Sequence, residues 1–297
     1  MIELLFIVLN SECTRACPFC FYNTGNQRKR KELINSADIL RFTDFLKKKG
    51  LANAILSGGE PLLFDGLERL IKDLRNADIF TLLLTNGDLL TYEKKKELRK
   101  SGLSAISVSL HVESADEMEL EKKITSAAED MEIPLTFIFV LTSVNFTLAQ
   151  KALHLTRKLG KGLIIQPAFI PSFNGKANEK ARNLSIANLP PRDFDNLKNV
   201  LLEWGKSFNT LPYVKLLLSL YSNQPGRPKV CGMGGTSLVL NCDGEIIPCF
   251  HREDIVPGNI LNDDYEKILE KNNRLSAELR HVGCFGEHCV SLFTEIR

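Results

Sequence analysis

The chain has 297 residues, 38 lysines and arginines against 36 aspartates and glutamates, and eight cysteines. That length buries an ordinary hydrophobic core in one large or two smaller domains, so folding does not need disulfide staples. The balanced charge gives no general pull toward nucleic acid or an anionic membrane, and no apolar run approaches the roughly 20 residues that span a bilayer.

The opening stretch, MIELLFIVLN, carries an acid at Glu3, no basic leader and no small-residue cleavage site, so no signal peptide is expected. A soluble cytoplasmic protein is the expectation, and in that compartment two clusters of cysteine indicate metal or redox chemistry. Short, nearly continuous apolar runs then alternate with segments of helical period. The runs are Glu3 to Leu9, Asn53 to Ser57, Phe80 to Thr85, Ala105 to Leu110, Leu135 to Leu141 and Leu163 to Ala168. Parallel strands buried on both faces have this character. Between the first two runs, SADILRFTDFLKKKG sets Ile39, Phe42 and Leu46 on one helical face and ends in lysines before Gly50. The same ending recurs before Gly102 and Gly160, where cations complement the carbonyl end of the helix and glycine takes the left-handed cap. Six such strand-helix units predict an α/β fold: a partial, open, TIM-like barrel with right-handed crossovers.

After about Ser172 the pattern breaks. PSFNGKANEKARN is polar, NLPPRDF restarts a helix with proline in its first turn, and Phe194 to Phe208 is helical in period. From Cys231 onward the chain holds five of its eight cysteines. The expected division is a barrel over 1–185, a helical linker over 186–230, and a small cysteine-rich module with a hairpin and helix over 231–297.

Cys13, Cys17 and Cys20 are spaced Cys-x3-Cys-x2-Cys just after the first strand, at the mouth where strand-helix barrels carry reactive groups. Three thiolates leave one metal of an iron-sulfur cluster with an open coordination position, whereas a structural zinc would need a fourth, distant ligand. Phe19 can shield such a cluster, and the basic run Gln27 to Lys31 is either a solvated loop or a contact for an acidic substrate.

This loop resembles the signature of the radical S-adenosylmethionine (SAM) superfamily, Cys-x3-Cys-x-aromatic-Cys. Three further elements carry the resemblance in order: GGEP (Gly58 to Pro61) after the second strand, TNG (Thr85 to Gly87) after the third and SVSLH (Ser107 to His111) on the fourth. The resemblance implies a 4Fe-4S cluster on Cys13, Cys17 and Cys20, with SAM on the remaining iron. It implies reductive cleavage of SAM to a 5'-deoxyadenosyl radical that abstracts hydrogen, with an electron donor such as flavodoxin or ferredoxin. Gly58, Gly59, Glu60 and Pro61 are the expected cofactor contacts, Glu60 as acceptor for an ammonium group, together with Asn86, Ser109 and Asn145. His111 either faces the radical pocket or is a hydrogen-bonded loop histidine.

In the second cluster, KVCGMGGTSLVLNCDGEIIPCF predicts a hairpin with NCDG at its tip, bringing Cys231 and Cys249 to its open end. Cys284 and Cys289 can complete a four-thiolate site, by spacing either zinc or iron-sulfur. The stretch resembles the SPASM and twitch extensions of radical SAM enzymes through Cys231, Gly244, Cys249 and PGNIL, which implies one auxiliary 4Fe-4S cluster. Cys242 is left over: a spare thiol, a replacement ligand, or a hydrogen-atom donor to a substrate radical. His251, His281 and His288 are expected to be outer groups rather than iron ligands. The function implied is modification of a peptide or protein residue by cross-linking, epimerisation or oxidation; the alternative is a small-molecule dehydrogenase or biosynthetic enzyme.

Overall fold

The computed structural model describes residues 1–20, 34–112, 114–168, 172–173, 176–177, 179–221, 230–231, 233–250, 252–282 and 294–295. Six strands alternate with helices: β1 (Leu4–Val8), α1 (Ser36–Lys47), β2 (Asn53–Ser57), α2 (Leu67–Asn76), β3 (Phe80–Thr85), α3 (Tyr92–Ser101), β4 (Ala105–Leu110), α4 (Glu117–Ala128), β5 (Leu135–Leu141), α5 (Ala149–Lys158) and β6 (Gly162–Pro167). Each pairs in parallel with the next. This is the parallel six-strand sheet of a partial TIM barrel, as the apolar runs predicted.

β1, β2 and β4 are largely buried on both faces, while in β3, β5 and β6 the inner-face residues are half-buried; apolar residues on both faces explain the lack of alternation. One face sends Leu5, Ile7, Leu56, Leu83, Ile106 and Phe137 against helix residues such as Ile39, Phe42, Leu70 and Ile71. The inner face holds a second cluster of Phe6, Val8, Ile55, Val239 and Ile247, with Leu82 and Leu84 packed against it. Local signals set the helix ends. Asn35 and Asp38 form a reciprocal capping box on α1, and Gly102, at φ 84°, caps α3 in the left-handed region.

Beyond β6 come the two-residue strands β7 (Ser172–Phe173) and β8 (Lys176–Ala177), then α6 (Glu179–Asn183), α7 (Pro191–Ser207) and α8 (Leu211–Tyr221). Proline opens α7, and Trp204 within it is fully buried and donates from Nε1 to the Leu163 carbonyl, 2.9 Å away. The C-terminal part contributes β9 (Val230–Cys231), β10 (Ser237–Leu240), β11 (Glu245–Ile247), β12 (Gly258–Asn259), α9 (Tyr265–Val282) and β13 (Thr294–Glu295).

β10 pairs in parallel with β1, Leu4 opposite Ser237 and Ile7 opposite Leu240, and β11 and β12 follow antiparallel. The hairpin therefore continues the barrel sheet, giving the order β12-β11-β10-β1-β2-β3-β4-β5-β6 among the described residues. Tyr265 of α9 packs edge-on to Phe42 and Phe45 of α1, a further tie between the C-terminal part and the barrel. Among the described residues no helix is long and apolar enough to cross a membrane.

Candidate active site at the strand ends

The first cysteine loop leaves the end of β1 and crosses directly over the GGEP loop. The Gly59 amide donates to the Asn10 carbonyl (2.9 Å), and the Glu60 amide to the Glu12 carbonyl (2.6 Å). A Cβ at Gly59 would lie 1.9 Å from the Glu12 carbonyl oxygen, and one at Gly58, whose φ is 152°, 2.7 Å from Asn10 Oδ1. Two consecutive glycines are thus required by a crossing of two backbones. Cys13 is exposed on this loop, Cys17 buried and Cys20 half-buried.

Glu60 is fully buried and joins three strand ends. Its Oε1 accepts from the Thr85 hydroxyl (2.6 Å) and the Leu62 amide (3.1 Å), its Oε2 from the Asn86 amide (2.9 Å), and its carbonyl from Asn10 Nδ2 (2.9 Å). Burial pushes its pKa up, opposed by the hydrogen bonds from Thr85, Asn86 and Leu62. Asn86 in turn directs Nδ2 toward Cys13 Sγ (3.7 Å) and Thr14 Oγ1 (3.0 Å). Asn145 is equally engaged: Oδ1 accepts from the Thr142 amide (2.8 Å), and Nδ2 donates to the carbonyls of Val112 and Val140, both at 2.9 Å. Ser109 stands half-buried near the end of β4.

Sequence reasoning did not find the pair that clasps the cysteine loop. Arg15, between the first two cysteines, donates bidentately to Asp88, with Nε at 2.6 Å, and its Nη1 reaches the His111 carbonyl at 3.2 Å. The available signal was an arginine inside the cysteine spacing and an aspartate directly after TNG. His111 stacks on Phe19, ring centroids 5.6 Å apart, and its Nδ1 is buried without a partner. Burial, with Arg15 and Lys123 nearby, lowers its pKa to about 4, so the imidazole is neutral at physiological pH.

None of the six barrel strands contains a charged residue. The inner face is apolar at Phe6, Val8, Ile55, Leu82 and Leu84; the hydroxylic Ser57 lies level with Val8, and Ser107 and Thr136 level with Leu84, while Ser109 lies two residues nearer the cysteine loop. A cavity of about 320 Å³ opens at the opposite end, among the strand starts, lined by Glu3, Leu4, Asn53, Ala54, Ile55, Phe80, Leu82, Thr236 and Ser237. It stands apart from the cysteine loop. Leu4 to Val8 alone covers about 13 Å at ~3.3 Å per residue.

NCDG forms the turn between β10 and β11, as predicted. Because β10 runs parallel to β1, this turn lies at the cysteine-loop end. Cys242, 1 % exposed, joins the inner cluster of Phe6 and Val8, against which Cys20 also packs. Cys249 lies two residues past Ile247, the partner of Val239, and so comes about level with Ser237 at the cavity end. Cys231 ends β9, which pairs with β13. Cys284, Cys289, His251, His288 and the run from Gln27 to Lys31 lie outside the described residues, as does the side chain of His281.

Among the described residues no three His, Cys, Asp or Glu side chains converge as a metal site. The donor set nevertheless suits an iron-sulfur cluster. Three thiols share one short loop, and Cys13 Sγ already faces two N–H donors, the Arg15 amide at 3.4 Å and Asn86 Nδ2. Such donors stabilise a thiolate that carries negative charge.

Comparison with known proteins agrees. Residues 7–133 match the radical SAM superfamily, and residues 231–289 match an iron-sulfur cluster-binding domain of the SPASM type. The chain is 31% identical to the GTP 3',8-cyclase of Helicobacter pylori (strain HPAG1), over 94% of this chain and 88% of that protein. It is 27% identical to the PqqA peptide cyclase of Gluconobacter oxydans (strain 621H), over 85% and 71%. Its fold is similar to that of Streptococcus suis SuiB bound to the precursor peptide SuiA, with a TM-score of 0.65 at 15% identity, covering 90% of this chain but only 64% of SuiB. The chain is therefore a member of the radical SAM superfamily, an enzyme whose cofactors are SAM, a 4Fe-4S cluster and auxiliary iron-sulfur in its C-terminal module.

Proposed function

We propose that this enzyme abstracts hydrogen from a residue of a peptide or protein, as in the maturation of ribosomally made peptides by cross-linking, epimerisation or oxidation. Cys13, Cys17 and Cys20 hold the first cluster in this reading, and Cys231, Cys249, Cys284 and Cys289 the auxiliary one, within a module over 231–297 that follows the barrel of 1–185 and the linker of 186–230. Once loaded and given an electron from a flavodoxin- or ferredoxin-type donor, these cofactors would supply 5'-deoxyadenosyl-radical chemistry able to abstract hydrogen from the substrate. The chain's own residues orient and exclude water. Glu60, Asn86 and Asn145 brace the loops, while Ser109 and the backbone of Gly58 to Pro61 are left to meet SAM.

The observation that carries the substrate class is the uncharged inner face. A nucleoside triphosphate is polyanionic and needs cationic partners where it is desolvated, and no strand of the barrel supplies one. An apolar or hydroxylic side chain reaching the inner face from the cysteine-loop end meets matching surface at Val8, Leu84, Ser107 and Ser109. The peptide substrates named for PqqA peptide cyclase and SuiB support the same reading. Cys242, buried in the inner cluster, suits hydrogen-atom donation to a substrate radical, the resulting thiyl then taking an electron from the reductant and a proton from solvent.

The test is anaerobic incubation of reconstituted enzyme, SAM and reductant with extract of the source organism, split into peptide and small-molecule fractions in deuterated water. Mass changes in the peptide fraction support the proposal. Changes confined to the small-molecule fraction refute it and leave a small-molecule dehydrogenase or biosynthetic enzyme.

A further inference from the structure

We infer that Asn86 is a positioning residue for the first cluster, donating an N–H to the Cys13 sulfur and so raising the cluster's reduction potential. The inference rests on Cys13 being a cluster ligand. Asparagine amides can be placed either way round, but here the network decides the orientation. Asn86 Oδ1 accepts from the Asp88 amide at 2.9 Å, a contact only an oxygen can make, so Nδ2 must face Cys13 Sγ and Thr14 Oγ1.

The side chain has no freedom to turn away. Its backbone amide is held by Glu60 Oε2 at 2.9 Å, and Thr14, which accepts from Nδ2, donates its hydroxyl proton to Asp88 Oδ2 at 3.3 Å. Asp88 is in turn fixed by the two-pronged bond from Arg15, whose own amide is the second donor to Cys13 Sγ. Apart from Glu60, which follows β2, every group in this ring belongs either to the cysteine loop or to the loop after β3. Both donors of this ring converge on the Cys13 sulfur.

A hydrogen bond to a ligand sulfur favours the more negative, reduced cluster, because the donor's positive end interacts more strongly with the added charge. Only the difference in this bond's strength between the two oxidation states enters, and its loss is expected to change the reduced-to-oxidised ratio about tenfold. At fixed potential that is a shift of ~59 mV for a one-electron couple.

The experiment is an EPR-monitored redox titration of full-length protein, wild type against Asn86→Ala and the isosteric Asn86→Asp, following the signal that added SAM perturbs, with iron counted in each sample. Lower midpoints in both variants at unchanged iron content are expected, lower still for Asn86→Asp, which adds negative charge. A wild-type midpoint in an iron-replete Asn86→Asp overturns the inference. So does loss of the cluster from both variants while they remain folded, because one bond to one of three sulfurs tunes a cluster rather than retains it. Absence of a SAM-perturbed signal from the wild type instead overturns the reading of Cys13, Cys17 and Cys20, and the inference falls with it.

Discussion

Replacing Gly59 by alanine tests how the cysteine loop is seated. The added Cβ would stand 1.9 Å from the Glu12 carbonyl oxygen, where contacts under 3.0 Å essentially never occur, and the next nearest atoms, the Glu12 and Ser11 carbonyl carbons, are backbone too. One strand of chain must therefore move by at least about 1.1 Å, the difference between those two distances. Glu12 adjoins Cys13, so the shift reaches the first thiolate directly. Metal-ligand distances tolerate only about 0.2 Å. The displacement exceeds that several-fold, while the overpacking costs about 1–3 kcal/mol, too little to unfold a domain of this size. After anaerobic reconstitution the Gly59→Ala protein is expected to lose about four irons per chain, one 4Fe-4S cluster, and to make almost no 5'-deoxyadenosine. Its Tm is expected to fall by only a few degrees. Full iron content with wild-type SAM cleavage would refute the account of the crossing.

Glu60→Ala strands the buried donors of Leu62, Thr85 and Asn86 and is expected to cost about 3 kcal/mol or more in urea denaturation. Burial raises the Glu60 pKa, so the folded state holds its proton more tightly than the unfolded chain, and the stability gap between wild type and variant narrows as pH rises above 4.5; a difference under about 0.5 kcal/mol would show that the carboxylate braces nothing. For His111 the sign is opposite. Its folded pKa of about 4 lies below the ordinary 6.5, so the unfolded chain binds the proton first, and about 3 kcal/mol of stability present above pH 6.5 is lost as pH falls toward 4. His111→Phe should flatten that stretch of the stability profile, and an unchanged slope would count against a buried neutral imidazole. Cys242→Ala should leave iron content and SAM cleavage intact while stopping product at the radical stage; unchanged product at an unchanged rate removes its thiol from the chemistry.

Much of the barrel was legible because strands apolar on both faces leave a strong local trace. The runs over Asn53 to Ser57, Phe80 to Thr85, Ala105 to Leu110 and Leu135 to Leu141 coincide with β2 to β5, and Gly102 caps its helix as its position after Arg99 and Lys100 suggested. The cysteine spacing and the GGEP and TNG elements marked the right strand ends for the same reason: each is a short stretch with its own chemistry. Contacts between distant segments leave no such trace. The Arg15–Asp88 clasp joins residues 73 apart, and the strand over Ser237 to Leu240 gives no local sign that it will lie parallel to β1 instead of forming a detached hairpin. Nor did the sequence show that the Asn86 and Asn145 amides are spent on the protein itself, since an asparagine beside a strand end looks the same whether it meets a ligand or a neighbouring carbonyl.

The seating of β10 beside β1 has a consequence for how the chain can be cut. The pairing of Leu4 with Ser237 makes β1 an interior strand, and its completion waits on a segment more than two hundred residues away. Removing everything from Cys231 onward would not release a tidy barrel. It would turn β1 into an open edge, apolar on both faces and lined with unpaired backbone groups, the kind of template on which other chains add themselves. The C-terminal part thus acts as a guard against self-association as well as a carrier of cysteines, and truncated forms should be judged first by whether they stay monomeric.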